Sequence, residues 1–540
     1  MNSFHIAIAK ALAWARAWTH ALGKWQARAL AFVLGALAVF AMPPVYQIYL
    51  LVPAFTGLLW LSADAPTKWR AFAVGWWFGA GFFAAGLYWI SFALLVEAEK
   101  FAWLIPFAIF GFAFGIGLFV AISAWAVRAV PGSTTAKALV LAASWALLEW
   151  VRAWIFTGLP WNPVGSVWAF SDNAIQGAAV VGVFGQSLIT VLAAASVGAV
   201  ADDAKHLSRA PRILSGLAFL SLIFMWGDGQ HRLSQDSGET VPDVRLRLVQ
   251  PNIPQAEKWK PELRERNMRI QLDLANAAPA KGDPAPTHII WAETSAPFFI
   301  ENHQAWRHVV ASSTPKGGLT ILGAPRVLQG GGDGKQFEVA NAMLAFDDQG
   351  DLVGAFNKFH LVPFGEYVPL SDWLPLEKIT QGIGAFTPGP GPVTLNLKGL
   401  PPVSPLICYE IIFPHEVTDG RGEAQWLLNL TNDAWYGKTA GPHQHFVSAR
   451  LRAVEEGLPT VRVAFTGISG IIDGYGRVQG QRGLGEKGFI DGDLPKPVQR
   501  PGLFRRHGNF VPVTLSLLVL GIGLIAGWRS AQPDRNRKEA

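Results

Sequence analysis

The chain has 540 residues, of which 51% are hydrophobic, only 16% are charged and 23 are tryptophan. This composition excludes an ordinary soluble protein and indicates prolonged contact with lipid. The net charge of +6 does not indicate nucleic-acid binding, because much of the basic excess flanks apolar segments, where membrane topology explains it. The single cysteine excludes an intramolecular disulfide and any metal site built from a cysteine cluster.

Eight segments are long and apolar enough to cross a hydrocarbon core of about 30 Å, which takes roughly 20 helical residues. They are predicted near residues 26–42, 46–63, 71–95, 101–127, 138–156, 173–200, 212–227 and 510–528. Residues 1–24 mix Lys and Arg with Ala, Trp and Leu, and this pattern predicts an amphipathic helix in the membrane interface rather than a signal peptide.

Orientation follows from the positions of Lys and Arg near the predicted spans, since these residues concentrate in cytoplasmic loops. One set of helix ends holds Lys10, Arg16, Lys24, Arg28, Lys68, Arg70, Arg128, Lys137, Lys205, Arg209, Arg212, Arg529, Arg535, Arg537 and Lys538. The opposite short loops hold only Lys100, with Arg152 as an ambiguous charge. Both termini are therefore predicted to be cytoplasmic, and eight spans place the polar region on the outer face.

Three domains are predicted from this topology. Residues 1–230 form a membrane domain of seven transmembrane helices, residues 231–509 a water-facing domain, and residues 510–540 a transmembrane helix with a cytoplasmic tail. Strand-like runs in the polar domain lie at 244–249, 288–292, 319–322, 341–346, 403–409, 426–430 and 460–464. Helix-compatible stretches such as 261–277 and 443–456 lie between several of them, which predicts an α/β layered sandwich.

Cys408 ends one of these strand-like runs in the stretch SPLICYEIIFP. A thiolate at this point would be stabilised by backbone N–H groups if Pro414 opened a helix. Taken alone, the commoner interpretation is a buried structural cysteine, because free cysteines are usually buried.

Two further sites favour chemistry. Glu293 ends the apolar run IIWAE, where a strand end would present it to a cleft as a general base, although a lone strand-end carboxylate is more often solvated. Lys358 and Glu366 lie in the apolar segment 356–369, which contains two prolines. Charged residues in such surroundings need an ion-pair partner or have a functional role.

Glu293, Lys358 and Cys408, in this chain order, resemble the catalytic residues of the nitrilase superfamily. With the predicted spans, the chain resembles the membrane-embedded branch of that superfamily, the bacterial apolipoprotein N-acyltransferases, over essentially its whole length. The matching segments are 157–162 (TGLPWN), 249–254 (VQPNIP) with Lys258 and Trp259, 291–293 (WAE), 357–369 (NKFHLVPFGEYVP), 407–410 (ICYE) and 431–437 (TNDAWYG). Thr294, Tyr367 and Tyr436 are mild departures from the family pattern.

The resemblance implies a catalytic triad on an α-β-β-α sandwich, with no cofactor and no metal. Cys408 would attack an acyl ester of a membrane phospholipid, typically phosphatidylethanolamine, and carry the acyl chain as a thioester. The α-amine of the diacylglyceryl-modified N-terminal cysteine of an apolipoprotein would then receive the chain. Glu293 is the expected base, and Lys358 with the backbone N–H of Tyr409 is expected to stabilise the oxyanion.

The remaining roles also follow from the resemblance. Supporting roles are expected for Glu366, Tyr409 and Glu410, and substrate contacts for Trp161, Trp259, Asn341 and Trp435. For each of the three tryptophans, core packing or anchoring in the membrane interface is an equally open interpretation. The apolar segment 370–387 is interpreted as a lid that touches the bilayer. The expected location is the bacterial cytoplasmic membrane, with the catalytic domain on the periplasmic face, and a monomer suffices for the chemistry.

Two other interpretations stay open. One is a membrane-tethered amidase or nitrilase in which water takes the acyl group, although hydrolysis of small soluble amides needs no eight-span platform. The other is a lipid transporter or lipoprotein-binding scaffold with a degenerate enzyme-like domain, although intramembrane charge is sparse. The segment 330–335 (GGGDGK) is interpreted as a hairpin turn rather than a phosphate loop, and His443 and His445 lack the further ligands of a metal site.

Overall fold

A computed structural model describes residues 3–202, 209–328, 338–369 and 385–532. Most of the predicted lid and the predicted turn at 330–335 lie outside these residues, as do the predicted topology markers Lys205, Arg535, Arg537 and Lys538. The chain divides into two compact units. The first comprises Met1–Tyr88, Leu104–Ser234 and Arg506–Ala540, and the second Trp89–Trp103 and Gln235–Arg505.

The first unit is built from helices. Those of eight residues or more are α1 (Ser3–His20), α2 (Lys24–Ala38), α3 (Leu51–Ala63), α4 (Lys68–Gly86), α5 (Phe112–Ala129), α6 (Thr134–Arg152), α7 (Gly177–Ala199), α8 (Ala210–Ser234) and α12 (Phe510–Ala531). Within the described residues, five helices are long and apolar enough to cross a membrane, or six if the bent pair Lys68–Gly86 and Tyr88–Leu95 forms one span. These helices support a membrane domain, and the count of eight spans stays a prediction.

Two β-sheets form the core of the second unit. Their strands are β1 (Thr240–Gln250), β2 (His288–Trp291), β3 (Leu319–Leu328), β4 (Glu338–Asp347), β5 (Leu352–Asn357), β6 (Val403–Ile407), β7 (Trp426–Thr431), β8 (Thr460–Ala464), β9 (Ser469–Ile472), β10 (Val478–Arg482) and β11 (Gly488–Pro495). The first sheet has the order β11-β1-β2-β3-β4-β5 and the second β10-β9-β8-β7-β6. β1 to β3 are parallel, and so are β6 to β8. Glu293 and Cys408 therefore follow the carboxyl ends of the parallel strands β2 and β6, where α/β folds place their sites.

The two sheets face each other across an apolar core, and helices cover their outer faces. Residues that meet between the sheets include Leu246, Leu248, Ile290, Leu428, Val461 and Val463. Helices α9 (Arg264–Ala275) and α10 (Gln304–Ala311) cover the first sheet through Met268, Ala275 and Val310. Helix α11 (Ala440–Glu456) packs against the second sheet. The layers run helix, sheet, sheet, helix, which confirms the predicted α-β-β-α sandwich.

The first and last strands of this unit are neighbours. β1 pairs antiparallel with β11, from Arg245 opposite Asp493 to Gln250 opposite Gly488. A buried ion pair, Arg247 Nη2 to Asp491 Oδ2 at 2.7 Å, reinforces the pairing. The edge of β1 that faces β11 is therefore covered only by the last strand of the unit.

Candidate active site

Glu293 lies just beyond β2, in a turn that β3 approaches closely. Thr294 adopts a left-handed backbone conformation, with φ of 48°. A Cβ atom added to Gly323 of β3 would lie 2.3 Å from Thr294 N and 2.7 Å from Glu293 Cα. Only glycine permits this approach, so Gly323 sets the position of the Glu293 backbone.

Lys358 directly follows β5 and is buried against two carboxylates. Its Nζ lies 2.8 Å from Glu366 Oε2 and 3.8 Å from Glu293 Oε1. Burial acts to lower the pKa of Lys358, but Glu366 and Glu293 outweigh it, so the pKa is raised and the ammonium stays charged. The structure thus brings two of the predicted catalytic residues and one supporting residue into one cluster.

Asn341 of β4 joins the two carboxylates of this cluster. Its Nδ2 donates to Glu293 Oε1 at 2.7 Å and to Glu366 Oε1 at 3.0 Å. Both amide hydrogens are therefore used to orient carboxylates. Its Oδ1 is buried without a hydrogen-bond partner among the described residues.

Cys408 opens a short 3₁₀ segment, Cys408–Ile412, with its backbone at φ of 53°. Burial and the negative charge of Glu293 raise the pKa of the Cys408 thiol to about 12, against the opposing effect of Lys358. The prediction that Pro414 opens a helix is wrong, because Pro414 lies in a turn, so no helix that begins at Pro414 acts on the thiolate. The resting thiol is protonated, so attack requires a base.

Glu410 ties the Lys358 segment to the cysteine segment. Its Oε1 accepts from the backbone N–H groups of Phe359 at 2.6 Å and His360 at 3.0 Å, and its Oε2 accepts from Ile407 N at 2.6 Å. Burial raises the pKa of Glu410 to about 8, although Lys358 and these three donors oppose the change. Because both oxygens bind main chain, Glu410 holds the two segments together.

Tyr409 packs as an aromatic side chain beside the cysteine. Its ring centroid lies 5.7 Å from that of His360 and 5.1 Å from that of Phe413. The side chain is buried, so the part of Tyr409 relevant to the predicted oxyanion role is its backbone N–H.

Lys258 was not singled out as a site residue from the sequence, yet it touches the Glu293 backbone. Its Nζ donates to Glu293 O at 3.1 Å and lies 4.0 Å from the centroid of the Phe465 ring. Burial lowers the pKa of Lys258 to about 7, while the charges of Glu293 and Cys408 oppose that shift. The available signal was the place of Lys258 beside Trp259 in one of the segments that match the family.

A second polar cluster lies at the backbone of Cys408. His445 contacts Cys408 O through Nε2 at 3.1 Å and Asp433 Oδ1 through Nδ1 at 2.8 Å. Arg462 Nη2 lies 2.8 Å from Asp433 Oδ2. His445 therefore makes protein contacts through both ring nitrogens, and no group of three or more His, Cys, Asp or Glu suited to a metal occurs among the residues searched in the described ranges.

The three candidate tryptophans differ in their surroundings. Trp259 and Trp435 are partly exposed in the second unit, Trp259 after the short helix Gln255–Lys258 and Trp435 within Asp433–Tyr436. Trp161 belongs to the first unit, where its side chain is buried and its carbonyl accepts from Arg152 Nη1 at 3.0 Å.

Known proteins resemble the chain along almost its full length. Residues 34–196 match the family model of the apolipoprotein N-acyltransferase N-terminal domain, and residues 245–500 match the carbon-nitrogen hydrolase model. An apolipoprotein N-acyltransferase of Rhodopseudomonas palustris is 35% identical over 517 residues, covering 93% of this chain and 95% of the relative. The chain belongs to the apolipoprotein N-acyltransferase family. A Brucella melitensis member is 37% identical, covering 93% of this chain and 96% of its own, and a Rickettsia typhi member is 34% identical, covering 92% and 98%.

Membership makes the protein an acyltransferase of the nitrilase superfamily. Solved structures similar to it include an amidase from Nesterenkonia sp., 22% identical, which covers 48% of this chain and 94% of the amidase with a TM-score of 0.34.

Proposed function

We propose that the protein transfers a fatty acyl chain from a membrane phospholipid of the phosphatidylethanolamine type to the N-terminal α-amine of the diacylglyceryl-cysteine of apolipoproteins. Cys408 carries the chain as a thioester between two half-reactions. The observation that carries this proposal is the buried Glu293–Lys358 pair, whose charges both act on the protonated Cys408 thiol.

In the first half-reaction, Glu293 takes the thiol proton as Sγ attacks the ester carbonyl. The developing oxyanion is stabilised by the Lys358 ammonium and the Tyr409 N–H, which act strongly because water is largely excluded. When the ester C–O bond breaks, Glu293 returns the proton to the leaving alkoxide, and the lysophospholipid departs. The pKa of about 12 for Cys408 makes a base in this step necessary.

In the second half-reaction, the neutral α-amine attacks the thioester carbonyl. The same donors stabilise the second oxyanion, and Glu293 takes a proton from the nitrogen. Collapse breaks the C–S bond, and that proton returns to Sγ, which restores the enzyme and leaves an amide on the acceptor. Glu366 and Asn341 orient Lys358 and Glu293 through the contacts already described.

The membrane arrangement completes the proposal. Residues 1–230 and 510–540 anchor the chain in the bacterial cytoplasmic membrane through eight spans with both termini cytoplasmic, and residues 231–509 form the catalytic domain on the periplasmic face. Trp161, Trp259 and Trp435 contribute to the substrate path, and the enzyme acts as a monomer. The helices suited to membrane spans support the anchoring.

Intact-mass analysis tests the proposal. Incubation of the full chain in detergent with phosphatidylethanolamine is expected to add one acyl mass to the wild type and none to Cys408→Ser, and a diacylated lipopeptide should then discharge the adduct. An adduct that persists without Cys408 would remove it as nucleophile. Release of free fatty acid without lipopeptide acylation would instead identify a hydrolase.

A further inference from the structure

The peptide unit between Cys408 and Tyr409 receives two side-chain donors on its carbonyl oxygen. Asn429 Nδ2 lies 3.3 Å and His445 Nε2 lies 3.1 Å from Cys408 O. The Cys408 carbonyl and the Asp433 carboxylate both only accept, so both contacts are hydrogen bonds when His445 is doubly protonated and donates through Nε2 and Nδ1. The only cis peptide among the described residues is Pro43–Pro44, so this unit is trans, and its N–H points away from its C=O. Holding the Cys408 carbonyl therefore fixes the direction of the Tyr409 N–H.

Arg462 holds both donors in place, Asn429 directly and His445 through Asp433. Arg462 of β8 is paired in register with Asn429 of β7, and it donates through Nη1 to Asn429 Oδ1 and through Nη2 to Asp433 Oδ2. Asp433 in turn contacts His445 Nδ1 at 2.8 Å. All four side chains are fully buried or nearly so.

Stability alone does not account for this cluster. Replacing a buried ion pair by apolar residues is often neutral or stabilising, so such pairs are weak evidence for a role in stability. The cluster also surrounds a residue held at φ of 53°, a conformation that costs roughly 1–3 kcal/mol for a residue other than glycine. Asn429 and His445 therefore contact the carbonyl of a residue, Cys408, whose left-handed backbone conformation is unfavourable in isolation.

His445 is not the base of a cysteine-histidine dyad in this arrangement. A dyad requires a ring nitrogen within hydrogen-bond reach of the thiol. Here Nε2 is directed to the Cys408 carbonyl and Nδ1 to the Asp433 carboxylate, so both nitrogens are engaged by oxygen atoms.

We propose that Asn429 and His445, held by Arg462 and Asp433, clamp the peptide unit so that the Tyr409 N–H is aimed at the oxyanion of acyl transfer and strengthened as a donor. Hydrogen bonds to a carbonyl polarise the whole peptide group, which makes its N–H a better donor. The inference rests on the proposed function, since it presupposes acylation of Cys408. The four side chains are positioning residues that never touch the substrate.

Two reactions of the same thiol separate this role from a merely structural one. Thioester formation from phosphatidylethanolamine passes through an oxyanion, whereas alkylation by iodoacetamide displaces iodide at a saturated carbon and forms none. For His445→Ala in the full chain, we expect kcat for acyl-enzyme formation to fall about 10- to 100-fold, with KM within about twofold and alkylation within about threefold of wild type. His445→Gln keeps an N–H donor and should recover most of the rate.

Two further variants and the wild type serve as controls for the His445→Ala experiment. His443→Ala, two residues earlier on α11 and outside the clamp, should match the wild type. Asn429→Ala removes the other donor and carries the same expectation if His445→Ala does not fold. Acylation at the wild-type rate in both variants, or alkylation that falls in parallel with acylation, would overturn the clamp while the proposed function stands. A wild type without an adduct, or an adduct retained by Cys408→Ser, would overturn the proposed function itself.

Discussion

Asn341→Asp is a nearly isosteric change that tests the carboxylate cluster. The amide nitrogen that donates at 2.7 Å to Glu293 and at 3.0 Å to Glu366 becomes a carboxylate oxygen. At an effective dielectric constant of about 20, unit charges at these separations repel by about 6 kcal/mol each. One pH unit corresponds to about 1.4 kcal/mol, so the cluster is expected to take up a proton and to retain it at neutral pH.

A proton retained by the cluster removes the free carboxylate that the Cys408 thiol needs. General base catalysis contributes about 10²- to 10⁴-fold, and we expect acyl-enzyme formation at neutral pH to fall by a factor in that range. The rate should recover at higher pH, with the acidic limb of the pH–rate profile displaced upward by at least about two units. Time-resolved intact mass across a pH series measures both effects.

The matched control is Asn267→Asp on α9, where one carboxylate oxygen would face the Arg266 guanidinium and the other would replace the donor to the Glu257 carbonyl, far from the catalytic carboxylates. This control should leave the acidic limb unchanged. If Asn341→Asp also keeps the wild-type limb, or loses activity equally at every pH, then proton uptake by the cluster is not the cause and the reasoning fails.

Three further predictions concern single residues. Lys358→Ala should slow thioester formation by about 10²-fold or more, as loss of an oxyanion donor does. The control is Lys316→Ala, a change at an exposed residue, which should leave the rate unchanged. Normal acylation by Lys358→Ala would remove Lys358 from the oxyanion role. Gly323→Ala should displace Glu293 and lower the acylation rate at least about tenfold. Gly111→Ala is the control, because an added Cβ there meets nothing within 4 Å. An unchanged rate in Gly323→Ala would contradict the close approach of β3 to the Glu293 backbone. Burial lowers the pKa of His288 from 6.5 to about 4, so the unfolded chain binds this proton more readily, and stability should fall as pH decreases from 6.5 towards 4. That loss is about 3 kcal/mol and should shrink in His288→Leu, measured as the change in thermal midpoint between the two ends of that range; an identical pH response in both proteins would exclude His288 as the source.

Sequence patterns predicted most of the fully buried strands, including the edge strand β6, and missed the partly exposed strands β5, β10 and β11. β2, β6, β7 and β8 are fully buried runs, and apolar or β-branched residues identify them. β5, β10 and β11 lie at sheet edges and were missed, as was β9 beside β10. β10 (VQGQR) and β11 (GFIDGDLP) contain Gly, Asp and polar residues because an edge strand is only partly covered.

The site shows the same division between local and tertiary information. Glu293 and Cys408 were recognisable as residues at the ends of apolar runs, and Lys358 as a charge in an apolar loop. The bridge made by Asn341, the Lys258 contact with the Glu293 backbone and the clamp around His445 each join residues far apart in the chain. Such contacts depend on strand register and burial, which no local pattern encodes.

The pairing of β1 with β11 has a consequence for synthesis of the chain. Roughly 240 residues separate the two strands, and at about 5–20 residues per second the edge of β1 waits roughly 12 to 50 s for its partner. An uncovered strand edge is a template for pairing with another chain. β1 carries Asp243, Arg245 and Arg247, and charges on an edge deter such pairing. Arg245 and Arg247, which form ion pairs with β11 in the folded domain, thus protect the nascent strand from aggregation before β11 has been synthesised.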